Sequence, residues 1–331
     1  MRRPTLEAVA TRAGVSKSTV SRVVNGEPTV ASDIRDLVMR AVNDLGYVPN
    51  PAARSLVTRR TDSIAVIVSD PSSGLVSDDP MFSTVVRAAS REFEAAGKQV
   101  VLMLAGSDDA RVRARQFVAA RHVDGVMLVS MHGADPLPAA LAATGVPLVS
   151  HGRPAFRLDV PWVDNDNTGG AAQAVRHLLE RGRRRIATIS GPLDMSAAQD
   201  RIGAYREVLS ETGRRSIVAI GDFTRISGAE AMAQLLGDDP ALDAVFAAND
   251  LMAIGAMRAL RRAGRRVPDD VAVVGYDDIE AALYTDPPLT TVRSPMGEQA
   301  AASARLLLGL LRGEPASPVI LPTQLVVRES S

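Results

Sequence analysis

Lys17, Ser18 and Arg22 fall within one short run, VSKSTVSRVVNG, and together offer the hydrogen-bond donors that DNA accepts. An arginine can give two parallel hydrogen bonds to a guanine edge, and a serine can bond a base edge or a phosphate oxygen. That chemistry needs a support that turns these side chains outward. Leu6, Val9, Ala10 and Ala13 recur at helical spacing, Gly14 interrupts the chain, and Ser16 is placed to cap a second helix carrying Val20, Val23 and Val24. With the valines inward, Lys17, Ser18 and Arg22 face solvent near the start of that helix. Two short helices joined by a tight glycine turn form the helix-turn-helix pattern, whose second helix enters the major groove. Any solvated surface helix also presents charge, so the pattern alone leaves both readings open.

A third amphipathic helix is expected next, with Ser32 as its cap, Ile34, Leu37, Val38, Ala41, Val42 and Leu45 inward, and Gly46 as its stop. In the run YVPNPAARSLVTRR, Asn50 can cap and Pro51 suits a first helical position, which makes 51–57 a very short helix. Isolated helices under roughly 12–15 residues are marginal in water, so this one needs an outside partner. Arg54, Arg59 and Arg60 suggest DNA phosphates, and Leu56 is of the type that wedges between base steps in the minor groove. An ordinary linker with an incidental leucine is the other reading.

Charge is divided unevenly along the chain. Its 331 residues carry 38 basic and 38 acidic side chains, yet residues 1–60 hold 10 basic against 5 acidic. A basic head on a mildly acidic remainder confines nucleic-acid affinity to one end. The length suits two or three domains. Cysteine is absent, which excludes a disulfide framework and thiolate chemistry. The start MRRPTLEAVA lacks the apolar core of a signal peptide. No apolar run reaches the roughly 18 residues of a membrane span, so a soluble cytoplasmic protein is expected.

From Thr61 onward short β-branched runs alternate with amphipathic stretches. Strands are expected at 63–68, 100–104, 125–129 and 146–149, with helices at 82–96, 109–121 and 136–143 between them. The series restarts with strands at 186–189, 216–220, 244–247 and 271–274. The polar stretch 164–170 between the two series reads as a strand end running into a capped helix. Such alternation builds α/β halves with parallel sheets covered by helices on both faces. Two halves imply a cleft, and α/β sheets bind ligands at the carboxyl ends of their strands. Asn249 and Asp250 follow one strand, Asp277 and Asp278 follow another, and Arg201 lies beyond the turn Gly191-Pro192-Leu193. These groups suit a ligand rich in hydroxyls, with Phe82 and Phe223 as apolar walls. Helix capping is the favoured role for Asp250 and Asp278, and packing for Trp162. No phosphate-binding loop, Gly-x-Ser-x-Gly elbow or His-Glu-x-x-His is present. His122, His132, His151 and His177 lack metal-ligand spacing. No enzyme activity, metal or cofactor is expected.

The motifs VSKSTVSRVVNG, GYVPNPAARSLVTRRTDSIAVIV, VDNDNTGGAAQAVRHLLERGRRRIATISGP, AANDLMAIGAM, VAVVGYDD and PPLTTVRSP follow one another in order. Together they resemble the LacI/GalR family of bacterial transcription regulators over nearly the whole chain. The resemblance implies an all-α helix-turn-helix domain at 1–49, a hinge helix and linker at 50–60, and a two-lobed, periplasmic-binding-protein-like α/β core at 61–331. The first lobe would comprise 61–161 and 291–322 and the second 162–290 and 323–331, with crossings near Pro161, Thr290 and Thr323. A helix at 297–312 would rejoin the first lobe. DNA contact is implied for Thr5, Ser16, Lys17, Ser18, Thr19, Ser21, Arg22 and Asn25, and in the hinge for Asn50, Ala53, Arg54, Leu56 and Arg59. Effector contact is implied for Phe82, Ser130, Arg201, Phe223, Asn249 and Asp277. Ile254 and Tyr284 match a dimer interface, although Ile254 also fits an inward stripe with Leu251 and Met257.

The implied function is a dimeric repressor of carbohydrate-utilisation genes that binds a palindromic DNA operator under the control of a small sugar-like effector. A cytoplasmic sugar-binding or sugar-processing protein, a regulator answering to a non-sugar metabolite, and a sequence-tolerant architectural DNA binder stay open. Three positions depart from the family pattern. Ser294 stands where glutamine is common, 150–153 replaces a stretch that often carries an aspartate, and Met195 occupies the place of an arginine in purine-responsive relatives. The last change argues against a purine effector.

Overall fold

The computed structural model describes residues 4–27, 29–48, 60–69, 80–129 and 132–331. The chain divides into two compact units, Met1–Asp62 and Ser63–Ser331. In the first, α1 (Leu6–Ala13), α2 (Lys17–Val24) and α3 (Ser32–Leu45) enclose one small core. Thr5 caps α1 by accepting the Ala8 N–H, and Ser16 caps α2 by accepting the Thr19 N–H. Gly14 between them has φ 65, a left-handed conformation that costs a residue with a Cβ roughly 1–2 kcal/mol. Val9, Val20 and Val38, one from each helix, are fully buried. Each helix is therefore held by the other two, as helices this short require.

Two expectations for α3 are corrected. Ser32 is its first helical residue, Ala31 occupies the cap position, and no side chain caps that end. Asp33 in the first turn opposes the helix dipole instead. Leu37 is 41% exposed, because the buried stripe passes through Val38 and Ala41 and adjacent helical residues point about 100° apart.

The second unit holds two six-stranded sheets. The first contains β1 (Ser63–Val68), β2 (Gln99–Leu104), β3 (Gly125–Val129), β4 (Leu148–His151) and β5 (Trp162–Asn165). Its helices are α4 (Pro80–Ala95), α5 (Asp108–Ala119) and α6 (Leu137–Ala142). The next helix, α7 (Asn167–Glu180), leads to the second sheet: β6 (Ile186–Ser190), β7 (Ile217–Ile220), β8 (Ala244–Ala247), β9 (Ala272–Asp277) and β10 (Thr290–Arg293). Here α8 (Ser196–Glu211), α9 (Arg225–Asp238) and α10 (Asp250–Arg262) lie between strands. The chain returns through α11 (Met296–Leu311), which packs on α4 and on β3, β4 and β5, to β11 (Val319–Leu321) in the first sheet, then adds β12 (Gln324–Val326) to the second.

Strand orders are β11-β5-β4-β3-β1-β2 and β12-β10-β9-β8-β6-β7. Pairing is parallel throughout except between β10 and β12. Buried runs such as Gly125–Val129 fit strands covered on both faces.

Several boundaries shift in ways that bear on the cleft. Pro147 has no N–H for the ladder, and β4 starts after it and runs on to His151. Asp277 is the last residue of β9 rather than one that follows it. The first two lobe crossings fall a few residues later than the resemblance implies, while the third lies near Thr323, between β11 and β12. Trp162–Asn165 still pairs with β4 in the first sheet, and Thr290–Arg293 pairs with β9 in the second. Among the described residues no helix is long and apolar enough to cross a membrane.

Candidate nucleic-acid interface and ligand cleft

On α2, Lys17, Ser18 and Arg22 are exposed while Val20 and Val23 are buried; Thr19, Ser21 and Asn25 are half-buried. Arg22 is held rather than free. Its Nε donates to Glu27 Oε2 at 3.0 Å and its Nη2 to Thr29 Oγ1 at 2.6 Å. Those bonds fix one orientation of the guanidinium and leave its other N–H groups for a base edge. Arg35 donates to the Glu27 carbonyl at 3.1 Å, which ties this turn to α3. Helical periodicity gives no sign of Glu27 or Thr29, because both lie beyond the end of α2. Asn50, Ala53, Arg54, Leu56, Arg59 and the hinge helix lie outside the described residues, as does Ser130.

In the second unit, Met81, His151, Arg153, Asp164 and Asn165 from the first lobe line one cavity with Arg201, Phe223, Asn249 and Asp277 from the second. Arg201 is 7% exposed. Its Nε donates to Asn167 Oδ1 at 2.9 Å, its Nη1 donates to the Ala248 carbonyl, and its guanidinium carbon stands 3.6 Å from the Tyr276 ring centroid. Its Nη2 is 3.8 Å from Asp277 Oδ1. Burial pushes the Tyr276 hydroxyl up to about 12, against the opposing pull of Arg201. Asp277 and Asp278 have φ of 107 and 58. Non-glycine residues held in such regions cost roughly 1–3 kcal/mol each and collect at ligand sites.

Two capping expectations are corrected here. Asn249, not Asp250, caps α10: its Oδ1 accepts the Met252 N–H at 2.9 Å, and its Nδ2 donates to the Phe223 carbonyl at 2.9 Å. Asp250 is fully buried behind the cleft, accepting from the Thr291 hydroxyl and from the Ile279 N–H at 2.9 Å. Burial, reinforced by the nearby charge of Asp277, pushes its carboxyl well above the ordinary range. Asp278 caps nothing either; it takes Arg293 at 2.7 Å and Arg328 on its two oxygens. Phe223 has φ 69 and lies against Gly191, where a Cβ would stand 2.1 Å from the ring.

On the opposite wall, burial lowers His151 to about 4. Its Nδ1 is 3.3 Å from Ser303 Oγ, whose proton goes to the Gln299 carbonyl at 2.8 Å. The neutral imidazole therefore donates from Nδ1 and keeps Nε2 as an acceptor. Burial raises Asp164, which accepts the Arg153 N–H at 3.1 Å and the Asn165 N–H at 2.8 Å. Arg153 Nη2 reaches across to both Asp200 oxygens at 2.6 and 2.7 Å, and His132 Nδ1 meets Asp194 at 2.9 Å.

Phe82 packs on the first-lobe core, and Met81, one residue earlier on α4, forms the cavity wall. Ile254 is half-buried and Tyr284 is 77% exposed; they meet in a separate surface depression on the second lobe. Among the described residues no cluster of three or more metal-ligating side chains forms.

Residues 5–50 match the model of bacterial regulatory proteins of the lacI family, and residues 175–331 match that of a periplasmic binding protein-like domain. The chain is 48% identical to the HTH-type transcriptional regulator CelR of Thermobifida fusca, over 99% of its own length and 98% of that protein's. The chain belongs to the LacI family. The ribose operon repressor of Escherichia coli K12 is 35% identical over 89% of both chains. Among solved structures, a CelR–cellobiose complex shares 45% identity at a TM-score of 0.78, covering 99% of this chain and 100% of that one. A lac repressor dimer bound to operator and the anti-inducer ONPF shares 31% identity at a TM-score of 0.87, covering 99% of each. As a LacI-family member, the chain is a DNA-binding transcriptional regulator with a helix-turn-helix head followed by a two-lobed α/β core.

Proposed function

We propose that this regulator is a homodimeric, cytoplasmic repressor of carbohydrate-utilisation genes, and that a neutral sugar held between its lobes sets its affinity for a palindromic operator. The observation that carries the reading is the wall formed by Arg201, Asn249 and Asp277. Charged and amide groups held at fixed positions there suit a ligand made of hydroxyls. Cellobiose is the first sugar to test, because a 45% identical CelR is known in complex with it.

In the head, Arg22 reads a base, while Thr5, Ser16, Lys17, Ser18, Thr19, Ser21 and Asn25 contact bases or phosphates. Asn50, Ala53, Arg54, Leu56 and Arg59 act in a hinge at 50–60. Ile254 and Tyr284 meet a second copy. We read the cleft as a binding site, a reading supported by Asp164 and Asp250, which accept from N–H and hydroxyl donors of the protein itself. The effector shifts the operator-competent population only by its difference in affinity for the two states.

Thermal melting of the full chain across a panel of neutral sugars tests the effector class. A ligand at about 100 times its Kd should stabilise the native state by roughly 2.7 kcal/mol, which reads as a saturable rise in Tm. A flat response to cellobiose and to every other neutral sugar would contradict it.

A further inference from the structure

Hydrogen-bond partners do not balance at Asn165. Its Nδ2 donates to Ser294 Oγ at 2.7 Å and to Gln299 Oε1 at 2.8 Å, and Gln299 Nε2 donates to the Val163 carbonyl at 2.9 Å. This series fixes both amides. Turning Asn165 over would set its oxygen against Gln299 Oε1, and turning Gln299 over would set its oxygen against the Val163 carbonyl. Asn165 Oδ1 is left buried without a partner, on a residue that is 8% exposed and lines the cavity. Ser294 is 7% exposed and lines the same cavity. Having accepted from Asn165, its hydroxyl still has its own proton to give. A vacant acceptor and a vacant donor thus stand one hydrogen bond apart.

We infer that Asn165 and Ser294 read one hydroxyl of the effector, Asn165 Oδ1 accepting its proton and Ser294 donating to its oxygen. The inference rests on the neutral-sugar reading and adds which chemistry the first-lobe wall selects. A hydroxyl both gives and takes a hydrogen bond. A hydrogen at that position leaves both groups unpaired, and a carboxylate cannot donate to Asn165. Gln299 is the positioning residue, holding the Asn165 amide from α11.

Titration calorimetry of the full chain with cellobiose and its monodeoxy analogues tests this. Wild type should bind one analogue at least about tenfold more weakly than cellobiose. Asn165→Leu should erase that preference, but it also removes the bond to Gln299. Ser294→Ala keeps the Asn165–Gln299 bond and carries the test. It should weaken cellobiose and shrink the affinity ratio for that one analogue by about threefold or more, leaving the part owed to Asn165 Oδ1, with the ratios for other positions unmoved. Unchanged ratios at every position in Ser294→Ala would overturn the inference alone. If wild type binds another neutral sugar in place of cellobiose, that sugar and its monodeoxy analogues carry the same test; binding of no neutral sugar would overturn the effector reading on which it rests.

Discussion

The α2 face of the head and the wall of the cleft both present an arginine, and they hold it in opposite ways. The Arg22 side chain is 49% exposed and rests on Glu27 and Thr29, five and seven residues along the chain. The Arg201 side chain is 8% exposed and is bonded to Asn167 and Ala248, 34 and 47 residues away, while it stacks on Tyr276. Around an exposed ion pair, water replaces what a mutation removes, so such pairs contribute at most about 1 kcal/mol. Around a buried one, a lost partner leaves polar groups stranded. With the roles proposed for Arg22 and Arg201, function and stability therefore separate at the head and coincide in the cleft.

The largest expected effect is that of Arg201→Ala, which leaves Asn167 Oδ1 and the Ala248 carbonyl short of a donor and takes a positive charge from beside Asp277. Urea unfolding should register a loss on the order of 3 kcal/mol, and effector affinity should fall by at least about 100-fold. An undiminished unfolding free energy would break the contrast, because Arg201 would then be as dispensable to the fold as a surface residue.

His151 offers a test of the cleft through pH. Burial lowers its pKa from 6.5 to about 4, so between those values the unfolded chain takes up a proton that the folded chain refuses. The stability it supports is whole above pH 6.5 and is lost as pH falls toward 4. At about 1.4 kcal/mol per pKa unit, the loss is on the order of 3 kcal/mol. Unfolding at several pH values should give a shallower acid loss for His151→Gln than for wild type. His177, also lowered, and Asp250, raised, are common to both proteins and cancel in the difference. Parallel pH curves would mean that the imidazole is not kept neutral.

At the head the expected effect on folding is smallest. Arg22→Ala should remove about 1–3 kcal/mol of specific operator affinity, yet change unfolding free energy by no more than about 0.5 kcal/mol. Glu27→Ala should act in the same sense and more weakly, since it frees the guanidinium without deleting it. Equal losses on operator and on random DNA would make Arg22 a phosphate contact and not a reader of sequence.

The same contrast explains what was legible in the sequence. The helix-turn-helix is written in local spacing, with Val9, Val20 and Val38 filling one core, and runs such as 63–68 and 125–129 mark buried strands through composition alone. Cleft roles depend on distant neighbours. Asn249 and Asp250 are adjacent residue types that both cap helices well. The approach of Thr291 from β10 and of the Ile279 N–H makes Asp250 a buried acceptor and leaves the cap to Asn249. Burial makes His151 a neutral wall residue, and Ser303 on α11, 152 positions later, settles which ring nitrogen donates. Phe82 and Met81 differ by one step of helical phase, which periodicity resolves only to within a residue or so. Glu27 and Thr29 are local but sit in a turn, where no period points to them.

The central claim is that the cleft controls the head, and operator affinity measured by fluorescence anisotropy with and without saturating cellobiose addresses it directly. A palindromic operator recovered by selection from random DNA serves as the probe, with wild type compared against Asp277→Ala. The account predicts a shift of about tenfold or more in wild type, in line with coupling free energies of roughly 1–3 kcal/mol. It predicts no shift in Asp277→Ala, whose affinity and salt dependence without sugar should match wild type. The same shift in both proteins, or none in wild type, would contradict it.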